Sequence, residues 1–355
     1  MGRGFLILVI TAVALAAPAA AGAATKTVTM GVTPKQGKVM QQQLNSDANQ
    51  FFPRTVTVNA GDAVRFLPFG FHNADFPKRG GDALSLIAPG PPTSGLVDAA
   101  GVPFWFDGQP GIGLNPALLD SKFGKTLRYT GAKAVNSGLP LEDRPKPFKV
   151  RFPRAGKFDY FCDVHPGMKG TVRVKRAGAQ VPSKRADARA VGRQVAKALS
   201  AARKLRKADA PANTVLLGAA NRSGVEYFGM LPETLTVPIG TTVDFTMSRP
   251  SFEVHTATFG PGDPEKEPNS YIGQLAASFQ GAEFDPRATY PSEPPGTTAA
   301  FSSSLHGNGF WNTGLLDAVP QSPPPESGRV TFAQAGSFTF VCVVHPFMKG
   351  TVIVQ

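Results

Sequence analysis

The stretch CVVHPFMKGTV, residues 342–352, sets a cysteine, a histidine and a methionine at three-residue intervals, and it recurs as CDVHPGMKGTV at 162–172. The chain has two cysteines and five histidines in 355 residues, and each cysteine belongs to one copy of this pattern. The likeness extends outward. AGKFDYFCDVHPGMKGTVRV at 155–174 aligns with AGSFTFVCVVHPFMKGTVIV at 335–354, and PRTVTVNAGDAVRF at 53–66 aligns with PETLTVPIGTTVDF at 232–245. TVTV and LTV alternate with period 2 and are followed by AGD or IGT, the signature of strands joined by tight turns. With 38 Gly and 33 Pro, the composition also favours a turn-rich β fold. The expected fold class is all-β, with two homologous β domains at 24–176 and 213–355.

The segment between the repeats has another character. Residues 176–213 carry ten basic side chains against two acidic ones, which is +8 of the chain's formal +12. Val191, Val195, Leu199, Ala202 and Leu205 form a narrow stripe at helical spacing, so a basic helical linker is expected over 177–212. Its stripe is expected to pack on a domain, and its charge to face solvent or an anionic surface. Nucleic acid is not expected as a partner, because no aromatic–basic surface motif accompanies the charge.

Arg3, the apolar run FLILVITAVALAA at 5–17 and the small residues APAAAGAA read as a signal peptide over 1–23, with an uncleaved anchor as the alternative. The run is shorter than the roughly 20 apolar residues needed to span a bilayer. No later segment looks transmembrane. The mature chain is therefore expected outside the cytoplasm, periplasmic or extracellular. Exported proteins commonly pair their cysteines, but a Cys162–Cys342 bridge would have to join two equivalent strand ends. The two cysteines read better as ligands.

A thiolate, an imidazole and a thioether on one short loop make a soft ligand set. His72 in FGFHNADF and His255 in FEVHTATF follow the second strand of each repeat and supply a second imidazole. Two His and one Cys with a weak axial Met is the donor set of a mononuclear blue-copper site. Zinc is disfavoured because a thioether suits it poorly. Haem attachment would need C-x-x-C-H, which the sequence lacks. A nucleophilic cysteine would leave the repeated methionine unexplained.

These segments resemble the cupredoxins, the plastocyanin and azurin family, and the short Cys-x2-His-x2-Met loop is most similar to that of amicyanin. The resemblance implies a Greek-key sandwich for each domain and copper ligands His72, Cys162, His165 and Met168 in the first. In the second they are His255, Cys342, His345 and Met348. It also implies two type 1 copper ions, Cu(I)/Cu(II) electron transfer with unidentified redox partner proteins, and electron entry through a solvent-facing edge of His165 or His345 in an apolar patch. Phe347 is expected beside that edge. Asn73 follows the first ligand, as in many cupredoxins, whereas Thr256 stands in the second repeat, so the two sites are expected to differ in potential.

The chain departs from a minimal cupredoxin in the 90 residues from His72 to Cys162 and the 87 from His255 to Cys342. Each interval holds an insertion, PFWFDGQPGIGLNP in one and GNGFWNTGLLDAVPQSPPPE in the other, which either decorates an edge or caps the site. Copper nitrite reductases and small laccases add catalytic copper through further histidines, and only His306 is left over here, expected as a surface-loop residue. Oxidoreductase activity is thus disfavoured. A copper-delivery protein, whose sites are usually exposed and Met-rich, and a module with one empty site remain as alternatives.

Overall fold

The computed structural model describes residues 23–319 and 324–355; the expected leader at 1–23 lies, save for Ala23, outside them. The fold is all-β, with two sandwiches built strand for strand on one plan. In the first repeat one sheet runs Phe51–Phe52, Thr25–Met30, Ala63–Pro68, Phe148–Arg151, Thr126–Arg128. The facing sheet runs Val135–Asn136, Asp75–Phe76, Gly156–Phe161, Lys169–Lys175, Thr55–Asn59. The second repeat reproduces the first order as Val225–Leu231, Thr214–Ala220, Thr242–Met247, Ser327–Phe332, Ala299–Phe301. Its other sheet is Trp311–Asn312, Thr258–Phe259, Gly336–Val341, Lys349–Val354, Thr234–Val237.

The alternation read in the sequence is what each sheet buries. Val56 and Val58 face one core and Val172 and Val174 join them from the parallel neighbour strand. The aromatic residue two positions before each cysteine anchors its core: Tyr160 lies 5.0 Å from Phe76 and 5.1 Å from Phe66. Phe340 takes the same place, 5.1 Å from both Phe245 and Phe259. The glycine of each KGTV motif passes directly over that ring. A Cβ at Gly350 would stand 2.5 Å from Phe340, and one at Gly170 would strike Tyr160.

The two sandwiches interlock. Ser46–Ala48, from the first repeat, is the edge strand of a second-repeat sheet, pairing with Val225–Tyr227. The long helix Lys184–Leu205 starts at Ser183, whose hydroxyl accepts from the Ala186 N–H. Its apolar stripe packs on Val32, Met40, Leu44 and Phe52 of one repeat and Val225 of the other. Gln194 fastens it further, donating to Gln50 Oε1 at 3.0 Å and to the Phe51 carbonyl at 2.8 Å. The linker is thus a wedge shared by both lobes. No helix among the described residues is long and apolar enough to cross a membrane.

The first insertion packs across onto the other lobe, whereas the second supplies the edge strand Trp311–Asn312 of its own sheet. Phe104 and Phe106 of the first are buried against Ile272, Leu275, Phe310 and Val343 of the second repeat. Trp105 Nε1–H donates to the Pro291 carbonyl at 2.8 Å. His306, expected on a surface loop, closes this seam: its Nδ1 lies 3.0 Å from Asp98 and its Nε2 2.9 Å from Glu293.

Candidate metal centres

Each cysteine stands just past the end of a central strand, and two backbone bonds fold the loop after it. In the first repeat Met168 N–H donates to His165 O at 2.9 Å and Cys162 N–H to Met168 O at 3.0 Å. The copy repeats this at 2.8 and 3.0 Å with Met348, His345 and Cys342. The three-residue spacing therefore closes a turn that brings thiol and imidazole to one side. Met168 and Met348 are buried in the same clusters as Cys162 and Cys342. Both cysteines are free and buried.

His72 and His255 arrive from the opposite edge. Each ring is pressed onto a glycine at positive φ, Gly31 (+81°) and Gly218 (+78°), where a Cβ would stand 2.9 and 3.2 Å from the respective Nε2. Only glycine permits both that backbone and that approach. The rings consequently turn Nδ1 inward. His72 Nδ1 and His165 Nδ1 are 3.0 Å apart, and Cys162 Sγ lies 3.9 and 3.6 Å from them. In the second repeat the corresponding separations are 3.2, 3.7 and 3.8 Å.

These triangles fit a metal ion. Ligand bonds of about 2.0–2.3 Å spread in a plane put donors roughly 3.5–3.8 Å apart; the sulfur–nitrogen separations of 3.6–3.9 Å match this, and the nitrogen–nitrogen separations of 3.0 and 3.2 Å are shorter. Burial, and then the charge of His165, push His72 well below its ordinary pKa. Burial and His345 bring His255 down to about 3. Those two rings are therefore neutral and have an inward lone pair to offer. Burial alone raises the Cys342 thiol, against backbone hydrogen bonds that include Thr256 N–H to Sγ at 3.4 Å.

The outer edge of His165 is buried, whereas His345, the other edge expected from the resemblance, keeps part of its side chain exposed. The ligand-bearing ends of the two sandwiches face each other, and Glu253 stands between them. Its Oε1 lies 3.1 Å from His165 Nε2 and its Oε2 3.7 Å from His345 Nε2. His165 is buried and His345 half-buried. Phe347 is exposed and lies 6.1 Å from the His345 ring, beside it as expected. A cavity of about 1300 Å³ opens here, bounded by both loops, by Phe71 and Leu84 and by Phe228 and Phe252.

Glu253 keeps its charge in this buried place. Burial works against it, but His165, then His345 and His255, hold the carboxyl far below the usual range. Burial also opposes charge on His165, yet Glu253 and Cys162 raise its pKa well above the ordinary value. Burial leaves His345 lowered despite Glu253. Asn49, from the first repeat, donates to Glu253 Oε1 at 2.7 Å. Neighbouring Glu226 holds the loop from behind, accepting from Phe252 N–H at 2.7 Å and Ser251 Oγ at 3.2 Å. Burial and the charge of Glu253 push Glu226 well above the carboxylate range.

Around the ligands the repeats diverge. Asn73 ties the loops of the first site: its Oδ1 accepts from Asp163 N–H at 2.7 Å and its Nδ2 donates to Asp163 Oδ2 at 2.6 Å. Asn136 adds a second donor to Asp163 at 2.7 Å. Burial, and then Asp163, push Asp75 up to about 7. In the second repeat Thr256 does the tying, its Oγ1 accepting from Val343 N–H at 3.0 Å, and no carboxylate stands at position 343.

Sequence reasoning named all eight candidate ligands. In each repeat the structure brings the two His and the Cys into one cluster whose ligand atoms lie within 4.8 Å of each other. It missed Glu253, Asp163 and the glycines Gly31 and Gly218.

No protein-family model and no curated protein matches the chain. Among solved structures, the oxidised form of plastocyanin from Dryopteris crassirhizoma is 21% identical, with 40% of this chain and 99% of that chain covered and a TM-score of 0.21. The Cu(I) form of a mutant amicyanin is 16% identical over 42% of this chain and 89% of that one, TM-score 0.21. A purple cupredoxin from Nitrosopumilus maritimus is 15% identical over 41% and 100%, again at 0.21. Each aligned region is about the size of one lobe.

Proposed function

We propose that the chain is an exported electron-transfer protein that holds two mononuclear type 1 copper ions, one per repeat. The observation that carries this reading is the duplicated cluster His72–Cys162–His165 and His255–Cys342–His345, each with a buried methionine beside it. Copper held there would supply one-electron chemistry between Cu(I) and Cu(II). The protein's part is to keep the donors in place: glycine-backed rings, a loop closed by two backbone bonds, and rigid sandwich cores behind them. Type 1 sites work by such preorganisation, whichever account of their geometry is preferred. His306 is already engaged by Asp98 and Glu293, which supports a carrier over an oxidoreductase needing a further copper. Redox partners are expected to be proteins.

Copper content and the electron paramagnetic resonance spectrum of the oxidised mature chain test the reading. Two coppers with narrow hyperfine splitting are expected, and Cys162→Ser and Cys342→Ser should each remove one. A wide splitting, or copper that survives both substitutions, would refute it.

A further inference from the structure

We propose that Glu253, which lies in the second repeat, is a positioning residue for the metal ligands of both repeats, so that the first site is completed by a side chain of the second. This rests on the reading of both clusters as metal sites. Every imidazole is oriented by something on its far side: His72 and His255 by Gly31 and Gly218, His165 and His345 by this one carboxylate. With Nδ1 turned to the thiol, each loop histidine must carry its proton on Nε2, and Glu253 is the acceptor those N–H groups face. A carboxylate on the outer nitrogen of a ligating imidazole fixes ring angle and tautomer, and losing such a partner costs about 10–100-fold in metal affinity.

The two halves of the carboxylate have unequal loads. Oε1 accepts from His165 at 3.1 Å and from Asn49 at 2.7 Å, whereas Oε2 faces His345 at 3.7 Å, within ion-pair range but beyond a hydrogen bond. An alanine at 253 therefore removes more from the first site than from the second. A glutamine behaves in the opposite way. Its single acceptor oxygen is drawn to the side where Asn49 and His165 both donate, and its amide N–H2 is then turned on the His345 N–H. Glu253→Gln thus spares the first site and injures the second.

The test uses the full mature chain in Cys162→Ser and Cys342→Ser backgrounds, so that each site is read alone. Affinity for Cu(I) is measured against a chromophoric chelator. The expected result is a loss toward 100-fold at the first site and toward tenfold at the second for Glu253→Ala, with the order reversed for Glu253→Gln. Zn(II)-loaded protein labelled with 15N-histidine gives the second readout. The His165 Nε2–H should be slow to exchange in the wild type and fast in Glu253→Ala, with His72 and His255 unmoved. Glu226→Gln keeps the loop's backbone bond and should leave both affinities within about threefold of wild type, as expected of a polar swap that leaves the ligand's partner in place. Unchanged affinity at the first site in Glu253→Ala, or an equal loss in Glu226→Gln, overturns the proposal. Failure of either wild-type site to bind metal overturns instead the metal-site reading on which it rests.

Discussion

Phe106→Ala should undock the first insertion from the second lobe. Phe106 is fully buried, its ring stacked 5.3 Å from Tyr290 at 15° and 4.9 Å from Phe104 at 12°. Truncating a buried Phe costs about 3–5 kcal/mol through lost transfer energy and the cavity left behind. About 0.5–1.5 kcal/mol per aromatic pair belongs to ring geometry beyond area. Because the ring's partners Tyr290, Ile272 and Leu275 lie in the second repeat, the loss falls on the seam between lobes. The chain's two tryptophans read it separately, since Trp105 lies in the insertion and Trp311 in the core of the second sandwich. Urea unfolding in a Trp311→Phe background, followed by Trp105 fluorescence, should show a loss of at least about 3 kcal/mol. A loss below about 1 kcal/mol, the size of a surface substitution, would show that the insertion is not packed as described.

Four further outcomes are expected. His306 is held above its ordinary pKa by Glu293 and Asp98 against the opposing effect of burial, so its contribution to stability is complete at acidic pH and lost as pH rises through its folded value; the stability gap to His306→Gln should close on that rise, and a gap constant with pH would refute the clamp. Asp75, raised to about 7, keeps a proton in the folded state that the unfolded chain releases near 3.8, so stability falls as pH rises between those values. Asp75→Asn should gain a few kcal/mol at most at pH 8, reduced by solvent screening, and nothing at pH 3; equal midpoints at pH 8 would argue against the buried pair. Gly31→Ala should strip metal from the first site and leave the second loaded, since the added Cβ would strike the Phe69 carbonyl and crowd His72; two coppers with an unaltered spectrum would count against it. Finally, the first site should have the lower reduction potential, because Asp163 stands beside its loop and Glu253 is nearer its histidine, and negative charge favours the more oxidised ion; redox titrations with one unresolved midpoint would sink this.

Much of this was legible because a repeat is its own control. Period-2 alternation located Thr55–Asn59 and Thr234–Val237, and the Cys, His and Met spacing located both loops, since a three-residue step closed by two backbone bonds admits few shapes. The helix was visible from its apolar stripe. Its role was only half visible: a stripe shows that something is covered, and the partners here come from Val32, Met40, Phe52 and Val225, which no local pattern connects. The same limit hid the exchanged strand Ser46–Ala48, whose three residues are too few to show a period. The insertions carried aromatic residues that clearly needed burial, yet composition does not say against which lobe.

Glu253 was hidden for a different reason. Two residues before the candidate ligand His255, it corresponds to Gly70 in the first repeat, so aligning the copies presents it as an unmatched position. The structure shows why one copy is enough. With the two ligand loops facing each other, a single carboxylate lies within 3.7 Å of both outer nitrogens, and a second at position 70 would bring another anion to the same buried gap. Gly70 also sits at φ +92°, with a Cβ position 3.4 Å from His72, where a side chain would be strained. Burying even one carboxylate is costly unless its partners hold it, and the Asn49, His165 and His345 groups come from both lobes. Duplication therefore explains the candidate ligands, and the face-to-face arrangement explains the residue that broke the duplication.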